Sequence, residues 1–378
     1  MLNYKIQSDL SWILDTYLHT IGGQECILPT DRSLRESYYV SKNVHQLSPI
    51  ACGHYDISPW IKADRDPNLI LRDETFIIKI ENGKFLDDTS IILDDANGCL
   101  LRHQSLDSVY GSSQWENQQK DLQIRATTHL NGNVLLLNSS WGSEYSHFIY
   151  SILGRYLKYL SFPVFLDEIN YIVLPEKKSF IDEWIDAINI PREKIIHTPS
   201  SGNSGHPGNL FSCNNLLIPS SSIPGDAKSI ALMRNTFLKN VAPSPPHRLL
   251  FLSREKNKDL RGRYIVNTHD LYNDLLKNLG FELIIEENLS LSQKAELFNQ
   301  AKFVISAHGS GPIVHCAFMQ KMTTIVEVFP EHWMDFCLPN IAKFVGVNYY
   351  YHVADTIENG NLYLKPENLK TIIQSLLI

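Results

Sequence analysis

No two cysteines of this 378-residue chain stand in a C-x-x-C pair; the six, Cys26, Cys52, Cys99, Cys213, Cys316 and Cys337, are scattered. That spacing supports neither a zinc ribbon nor a thiol-redox motif, and it suits a reducing compartment. Uninterrupted apolar runs of about 18 residues are missing, so no membrane-spanning helix is expected. The start, Met1-Leu-Asn-Tyr-Lys-Ile-Gln-Ser-Asp9, has no cationic stretch leading into an apolar block and does not read as a secretory signal. Positive charge is not in excess either. A net charge of −7 and a pI near 6.1 argue against a general nucleic-acid binder. No internal repeat or low-complexity tract appears. The expectation is a cytoplasmic protein, with peripheral attachment at the inner face of a membrane left open.

What is present is enough chain for two domains, with 43% hydrophobic and 20% charged residues, as in soluble globular proteins. Residues 1–72 are mixed and punctuated by Pro and Asp, with an amphipathic helix expected at 9–18. Residues 75–138 read as strands, with hairpin turns expected at Asn82-Gly83 and Asn97-Gly98. From 141 onward helices and strands alternate. A helix is expected across 179–188 with Ser179 as its cap, and another over 226–240. Val241-Ala-Pro-Ser-Pro-Pro246 is stiff and marks the best domain boundary. Beyond it, strands at 249–252, 282–285, 303–307, 323–329 and 349–353 are separated by helices, and a final helix covers 365–377. One helix is closed by Gly280 and another capped by Ser290. Such alternation implies a parallel sheet with helices on both faces.

The chain is organised around Phe303-Val-Ile-Ser-Ala-His-Gly-Ser-Gly-Pro-Ile-Val-His-Cys-Ala-Phe318. A buried strand ends at Ala307, His308-Gly309-Ser310-Gly311 turns, and a helix follows with Pro312 suited to its first position. A helix N-terminus facing such a turn favours an anion, most often a phosphate, and glycines admit a close approach to the backbone. Alone, the turn reads equally well as plain topology. A second feature strengthens it. The loop Ser253-Arg-Glu-Lys-Asn-Lys-Asp-Leu-Arg-Gly-Arg263 is basic in an acidic protein and leaves a strand end directly. Loops at the carboxyl ends of neighbouring strands share one crevice, so Arg254 and Arg263 can reach the same phosphate and grip it bidentately. His308 is placed to donate to a phosphate oxygen. Glu327, inside the next apolar strand, either holds a ribose or pairs with a local cation.

Three further residues or motifs carry chemistry. Glu144 and His147 fall at a strand-to-helix junction, where position alone favours a capping acid and a satisfied half-buried histidine. Asp64-Arg-Asp66 has the spelling of a metal-holding D-x-D, but Pro67 gives it the context of a solvated turn.

Together these pieces resemble glycosyltransferase family 61. The carriers are Leu252-Ser-Arg254 followed by Arg263-Tyr-Ile-Val-Asn267, then Ser306-Ala-His-Gly-Ser-Gly311, then Ile325-Val-Glu-Val-Phe-Pro330. Upstream, Tyr145-Ser-His-Phe148 with Arg155 looks like the family's aromatic-His-aromatic helix start. The resemblance implies an α/β protein of GT-B fold, two Rossmann-like domains facing a cleft, here with a β-rich N-terminal region. It implies an acceptor-side domain at 73–240 and a nucleotide-sugar domain at 247–355, after an N-terminal extension at 1–72 and before a tail at 356–378. The implied activity is inverting transfer of a sugar from a nucleoside-diphosphate donor, UDP-linked in the first instance, to a glycan or glycolipid in bacterial capsule or lipopolysaccharide assembly. No metal and no cofactor beyond the donor are implied. His147 is the expected base and Glu144 the alternative. Arg254, Arg263, Asn267, His308, Gly309, Ser310, Gly311 and Glu327 are the expected donor site. The chain departs from the family pattern at Ser151, where an Asp is usual, at Gly154 for a Pro, at Glu144 for an Asn and at Pro312 for an aliphatic residue. Ser151 keeps a second class in view, a GT-B-like binding protein without turnover. A third, a nucleotide-dependent oxidoreductase, lacks the full G-x-G-x-x-G.

Overall fold

A computed structural model of the chain describes residues 5–6, 26–27, 77–87, 92–94, 99–100, 126–139, 142–160, 169–199, 209–219, 227–257, 262–330 and 337–377. The helix expected at 9–18 and the Asp64-Arg-Asp66 turn lie outside the described residues. The described residues form two compact units that divide between Ser229 and Ile230.

The first unit is built on a mixed sheet. Its strands are β1 (Lys5–Ile6), β2 (Cys26–Ile27), β3 (Ile77–Glu81), β4 (Lys84–Leu86), β5 (Ile92–Asp94), β6 (Cys99–Leu100), β7 (Thr127–Leu136), β8 (Ile169–Pro175), β9 (Ile195–Thr198) and β10 (Leu210–Pro219). The parallel part runs in the order β10-β7-β8-β9. Val134, Leu135, Val173, Leu174 and Leu216 are fully buried there, as near-continuous apolar runs are in a sheet covered on both faces. The first parallel strand, β7, has its successor β8 on one side and the last, β10, on the other. The winding direction therefore reverses between β7 and β10.

Asn82-Gly83 does not make the expected hairpin. β3 and β4 both pair antiparallel with β10, β3 along 215–219 and β4 along 210–212, so the chain runs straight on. Asn82 takes φ 52°, its N–H donates to Asn214 O at 2.7 Å, and Gly83 O accepts from Cys213 N. The left-handed tolerance of Asn-Gly is spent on a bulge, opposite the irregularity that β10 itself carries between Cys213 and Asn215. The strands flanking Asn97-Gly98 do pair antiparallel, with Asp94 opposite Cys99.

Helix α1 covers 145–160. Its middle, Phe148–Leu153, is wound wider than an α-helix, and Gly154 N reaches back to Ile149 O. All six residues of that middle are buried, Ser151 among apolar and aromatic neighbours. Helix α2 is Ser179–Ala187; Lys178, not Ser179, is its cap residue, without a side-chain bond. Helix α3, Ala227–Phe237, contains the division between the units.

The second unit has β11 (Arg248–Ser253), β12 (Phe281–Ile285), β13 (Ala301–Ala307), β14 (Thr324–Pro330), β15 (Asn348–Thr356) and β16 (Leu362–Tyr363), in the spatial order β12-β11-β13-β14-β15-β16. All pairs are parallel except the last. Chain order two-one-three-four-five puts the reversal between β11 and β13, where a doubly wound sheet opens a crevice at its carboxyl end. Helices α4 (268–279), α5 (Leu291–Asn299), α6 (Ser310–His315), α7 (Cys337–Val345) and α8 (Pro366–Leu376) connect the strands or follow the last one. Gly280 ends α4 at φ 82°, and Ser290 forms a full capping box with Gln293. The tail belongs to the same core, with Leu364, Leu369 and Ile372 packed in one cluster with Phe251, Phe303 and Ile305. Among the described residues no helix is long and apolar enough to cross a membrane.

Candidate active site

Three chain segments leave the carboxyl ends of β12, β11 and β13 side by side, and the charges expected from the sequence are found among them. Arg254 directly follows β11. Its Nη1 donates to His308 O at 2.7 Å, and its Nε is buried without a hydrogen-bond partner among the described residues. Burial, and next the charge of Arg263, lower its pKa to about 10, against the pull of Glu286 and Glu287. Two guanidiniums thus stand within electrostatic reach of each other in a poorly solvated place, which is the condition an anion relieves. Arg263 is held there by backbone geometry. It adopts φ 65°, its N–H donates to Gly360 O at 2.8 Å, and a Cβ at neighbouring Gly262 would lie 2.6 Å from the carbonyls of Asn359 and Gly360. A left-handed conformation at a residue with a side chain costs about 1 kcal/mol, so the direction of Arg263 is imposed by the fold.

His308 and Gly309 form the turn after β13, and α6 begins at Ser310 with Gly309 as its cap residue. Pro312 sits third in the helix, not first. Its missing N–H is still no loss, because the first four amides of a helix have no partner within it. The two glycines serve a purpose that differs from the sequence reading. A Cβ at Gly309 would lie 1.9 Å from Arg254 Nη1, and one at Gly311 would lie 2.2 Å from Glu286 Oε2. The room they leave is filled by the protein's own charged side chains.

Glu327 is fully buried, and both its oxygens are engaged. His308 Nδ1 lies 2.6 Å from Oε1, and Tyr349 Oη donates to Oε2 at 2.7 Å. The His308 ring also stacks on Phe329, 4.9 Å between centroids. A carboxylate with no exposed surface cannot meet a ribose in this conformation. It fixes His308, whose carbonyl in turn receives Arg254. Asn267 is also drawn away from the site. Its amide donates to Leu364 O at 2.8 Å and accepts from Leu364 N at 3.3 Å, tying the tail to the sheet. The chain-distant partners explain both corrections: neither Tyr349 nor Leu364 is visible from the local pattern around the residue it binds.

In the first unit, His147 and Glu144 stand at the carboxyl end of β7, beside the reversal point. Both are half-buried. Glu144 caps α1 through its carbonyl, which accepts from Phe148 N at 2.8 Å; its carboxylate makes no capping bond. Tyr145 and Phe148 both meet Phe180 edge to face, which fixes the first turn of α1 against α2. Beneath lie buried polar groups: Arg155 Nη1 donates to Leu137 O at 3.3 Å, and the hydroxyls of Ser139 and Ser151 are buried without a partner among the described residues. Wide helical turns of the kind found at Phe148–Leu153 are over-represented at functional sites. No group of three or more His, Cys, Asp or Glu side chains that could hold a metal occurs among the described residues.

Residues 145–326 match the family model Glycosyltransferase 61. The matched segment opens at the first residue of α1 and closes inside β14, just under half of the chain. It supports a glycosyltransferase of that family. His147, Arg254, Arg263 and the His308–Gly311 turn fall within the Glycosyltransferase 61 segment; Glu144 precedes it by one residue and Glu327 follows it by one. No curated protein matches the chain.

The sequence reading passed over Glu286, His315 and Tyr349. Glu286-Glu287 directly follows the apolar strand Phe281–Ile285, the same placement that singled out Arg254, and is the signal that was available for Glu286. Tyr349 and His315 read as one more aromatic in a strand and one more residue on an apolar helix face.

Proposed function

We propose that the protein is an inverting glycosyltransferase that works without a metal, moving a sugar from a nucleoside diphosphate, UDP foremost, to a hydroxyl of a glycan or glycolipid. On this reading the two units are the halves of a GT-B enzyme, with the donor on the second and the acceptor on the first. The setting is assembly of a bacterial surface polysaccharide at the inner face of the membrane. One observation carries the reading: Arg254 reaches the His308–Gly309 turn at the reversal point of a parallel sheet, within electrostatic reach of Arg263, inside a segment that matches a glycosyltransferase family. Two guanidiniums supply there the positive charge that a departing diphosphate needs, a task metals perform elsewhere. Nothing further is required of a cofactor.

His147 is the proposed base. Its imidazole would take the proton of the acceptor hydroxyl as that oxygen attacks the anomeric carbon, on the face opposite the leaving diphosphate. Glu144, on the same turn, is the alternative. Ser151, fully buried where relatives usually carry an Asp, favours a second reading, a binding protein without turnover.

Thermal shift against UDP, GDP, CMP and their sugars, followed by an assay for nucleotide release, tests the proposal. A ligand that binds only the folded state raises its melting temperature. Stabilisation by a nucleoside diphosphate with turnover of its sugar is expected. Stabilisation without turnover of any nucleotide sugar selects the second reading as a nucleotide binder; no stabilisation by any of them overturns the transferase and leaves only a glycan-binding protein.

A further inference from the structure

We infer that Glu286 is the residue that reads the nucleoside of the donor, accepting hydrogen bonds from the ribose hydroxyls; the inference rests on the donor site proposed above. Glu286 directly follows β12, the second strand of the parallel sheet and the neighbour of β11. In doubly wound sheets an acid at the end of the strand after the phosphate-binding turn is where ribose hydroxyls are held, because the sugar lies one strand over from the phosphate. Here the phosphate side would be Arg254, after β11. The acid named from the sequence, Glu327, is on the other side of the reversal and is fully buried.

The geometry singles out Glu286 from its neighbours. Its Oε1 is bonded to His315 Nδ1, and His315 is itself buried between the rings of Phe298 and Phe318. That clamp fixes the carboxylate's direction. The second oxygen, Oε2, takes no hydrogen bond among the described residues and lies over Gly311, where a Cβ would be 2.2 Å away. The side chain is 14% exposed. It is therefore oriented, largely desolvated and left with one accepting oxygen, a combination that makes a hydrogen bond to a hydroxyl both strong and selective. Glu287, the next residue, is exposed. Glu286 is also within electrostatic reach of Arg254, the residue proposed to hold the diphosphate. A carboxylate that near a phosphate weakens the grip on the phosphate itself; its presence is explained if what it gains is contact with the nucleoside.

Calorimetric titration of the full chain with UDP and GDP, their 2′,3′-dideoxy counterparts, and pyrophosphate decides the matter for wild type and Glu286→Gln. Wild type is expected to bind one ribonucleotide about tenfold or more tighter than its dideoxy form, the usual worth of a hydrogen bond to a charged group. Glu286→Gln, which keeps the shape and removes the charge, is expected to lose that preference and to bind pyrophosphate a few-fold tighter, since a repelling charge is gone. Pyrophosphate binding by the variant also shows that the site is folded. A ribose preference absent in wild type, or undiminished in the variant, overturns the role of Glu286 and leaves the donor site standing. Weaker pyrophosphate binding by the variant makes Glu286 a structural brace and overturns it as well. Failure of wild type to bind any nucleotide or pyrophosphate removes the donor site, and Glu286 with it.

Discussion

The two units share a plan and differ in what they place on it. Each has a parallel sheet whose winding reverses once, between β7 and β10 in the first and between β11 and β13 in the second. In each, the residues picked out for chemistry stand at the carboxyl end of the strand beside the reversal. The second unit gathers charge there: two guanidiniums close enough to oppose each other, a clamped carboxylate and a histidine locked by a buried acid. The first arranges its groups differently. It offers a half-buried imidazole and carboxylate, His147 and Glu144, on a helix turn braced by aromatic contacts, over the buried Arg155 guanidinium and buried hydroxyls. Topology creates the place, and side-chain chemistry decides its use. A crowd of charges suits holding a polyanion, and a single titratable ring suits moving a proton.

The comparison breaks most readily at His147. His147→Ala is expected to slow transfer about a hundred- to ten-thousand-fold while leaving nucleotide affinity at the wild-type level. Near wild-type transfer would move the base to Glu144 or elsewhere; a loss of nucleotide affinity of the same size would dissolve the division of labour. Gly309→Ala acts on the other unit. The new methyl group must displace Arg254 Nη1, the flexible end of a long side chain, so folding should survive while pyrophosphate affinity falls about tenfold, the worth of one good charged hydrogen bond. Unchanged affinity would mean that Arg254 does not touch the ligand.

Tyr349→Phe tests the buried support behind His308. It leaves Glu327 Oε2 without its 2.7 Å bond on a fully buried side chain, at a cost of about 1–3 kcal/mol, read as a lower melting temperature of the second unit. No loss would mean that a water replaces the phenol. The smallest effect concerns thiols. Burial raises the pKa of Cys213, in the first unit, to about 12, and that of Cys316, in the second, still further. Both should resist alkylation at pH 8 in the native protein and react as their own unit opens in denaturant, reporting each unit separately. Rapid labelling of either thiol in native buffer would contradict the packing described around it.

Much of the second unit was legible because its signals are local. Apolar runs, a Gly at the end of α4 and a Ser-x-x-Gln cap declare themselves within a few residues, and their order in the chain implies the parallel sheet. The arginines were legible for the same reason: each adjoins a recognisable strand end or motif. What was hidden depends on pairing between distant segments. Asn82-Gly83 has the composition of a hairpin, and only β10 on the far side shows that it is a bulge. Glu327 and Asn267 read as site residues until Tyr349, His308 and Leu364 occupy their polar atoms. Glu286 was hidden by the opposite effect, since its value lies in the oxygen that its neighbours leave open.

The central claim is that Arg254 and Arg263 hold a diphosphate at the reversal of the second sheet. Titration of pyrophosphate into wild type and Arg254→Ala by calorimetry tests it most directly. The account predicts saturable binding to wild type and a loss of about ten- to a hundred-fold in the variant, the range for a charged hydrogen-bonding group. Equal affinity in the two proteins would contradict it.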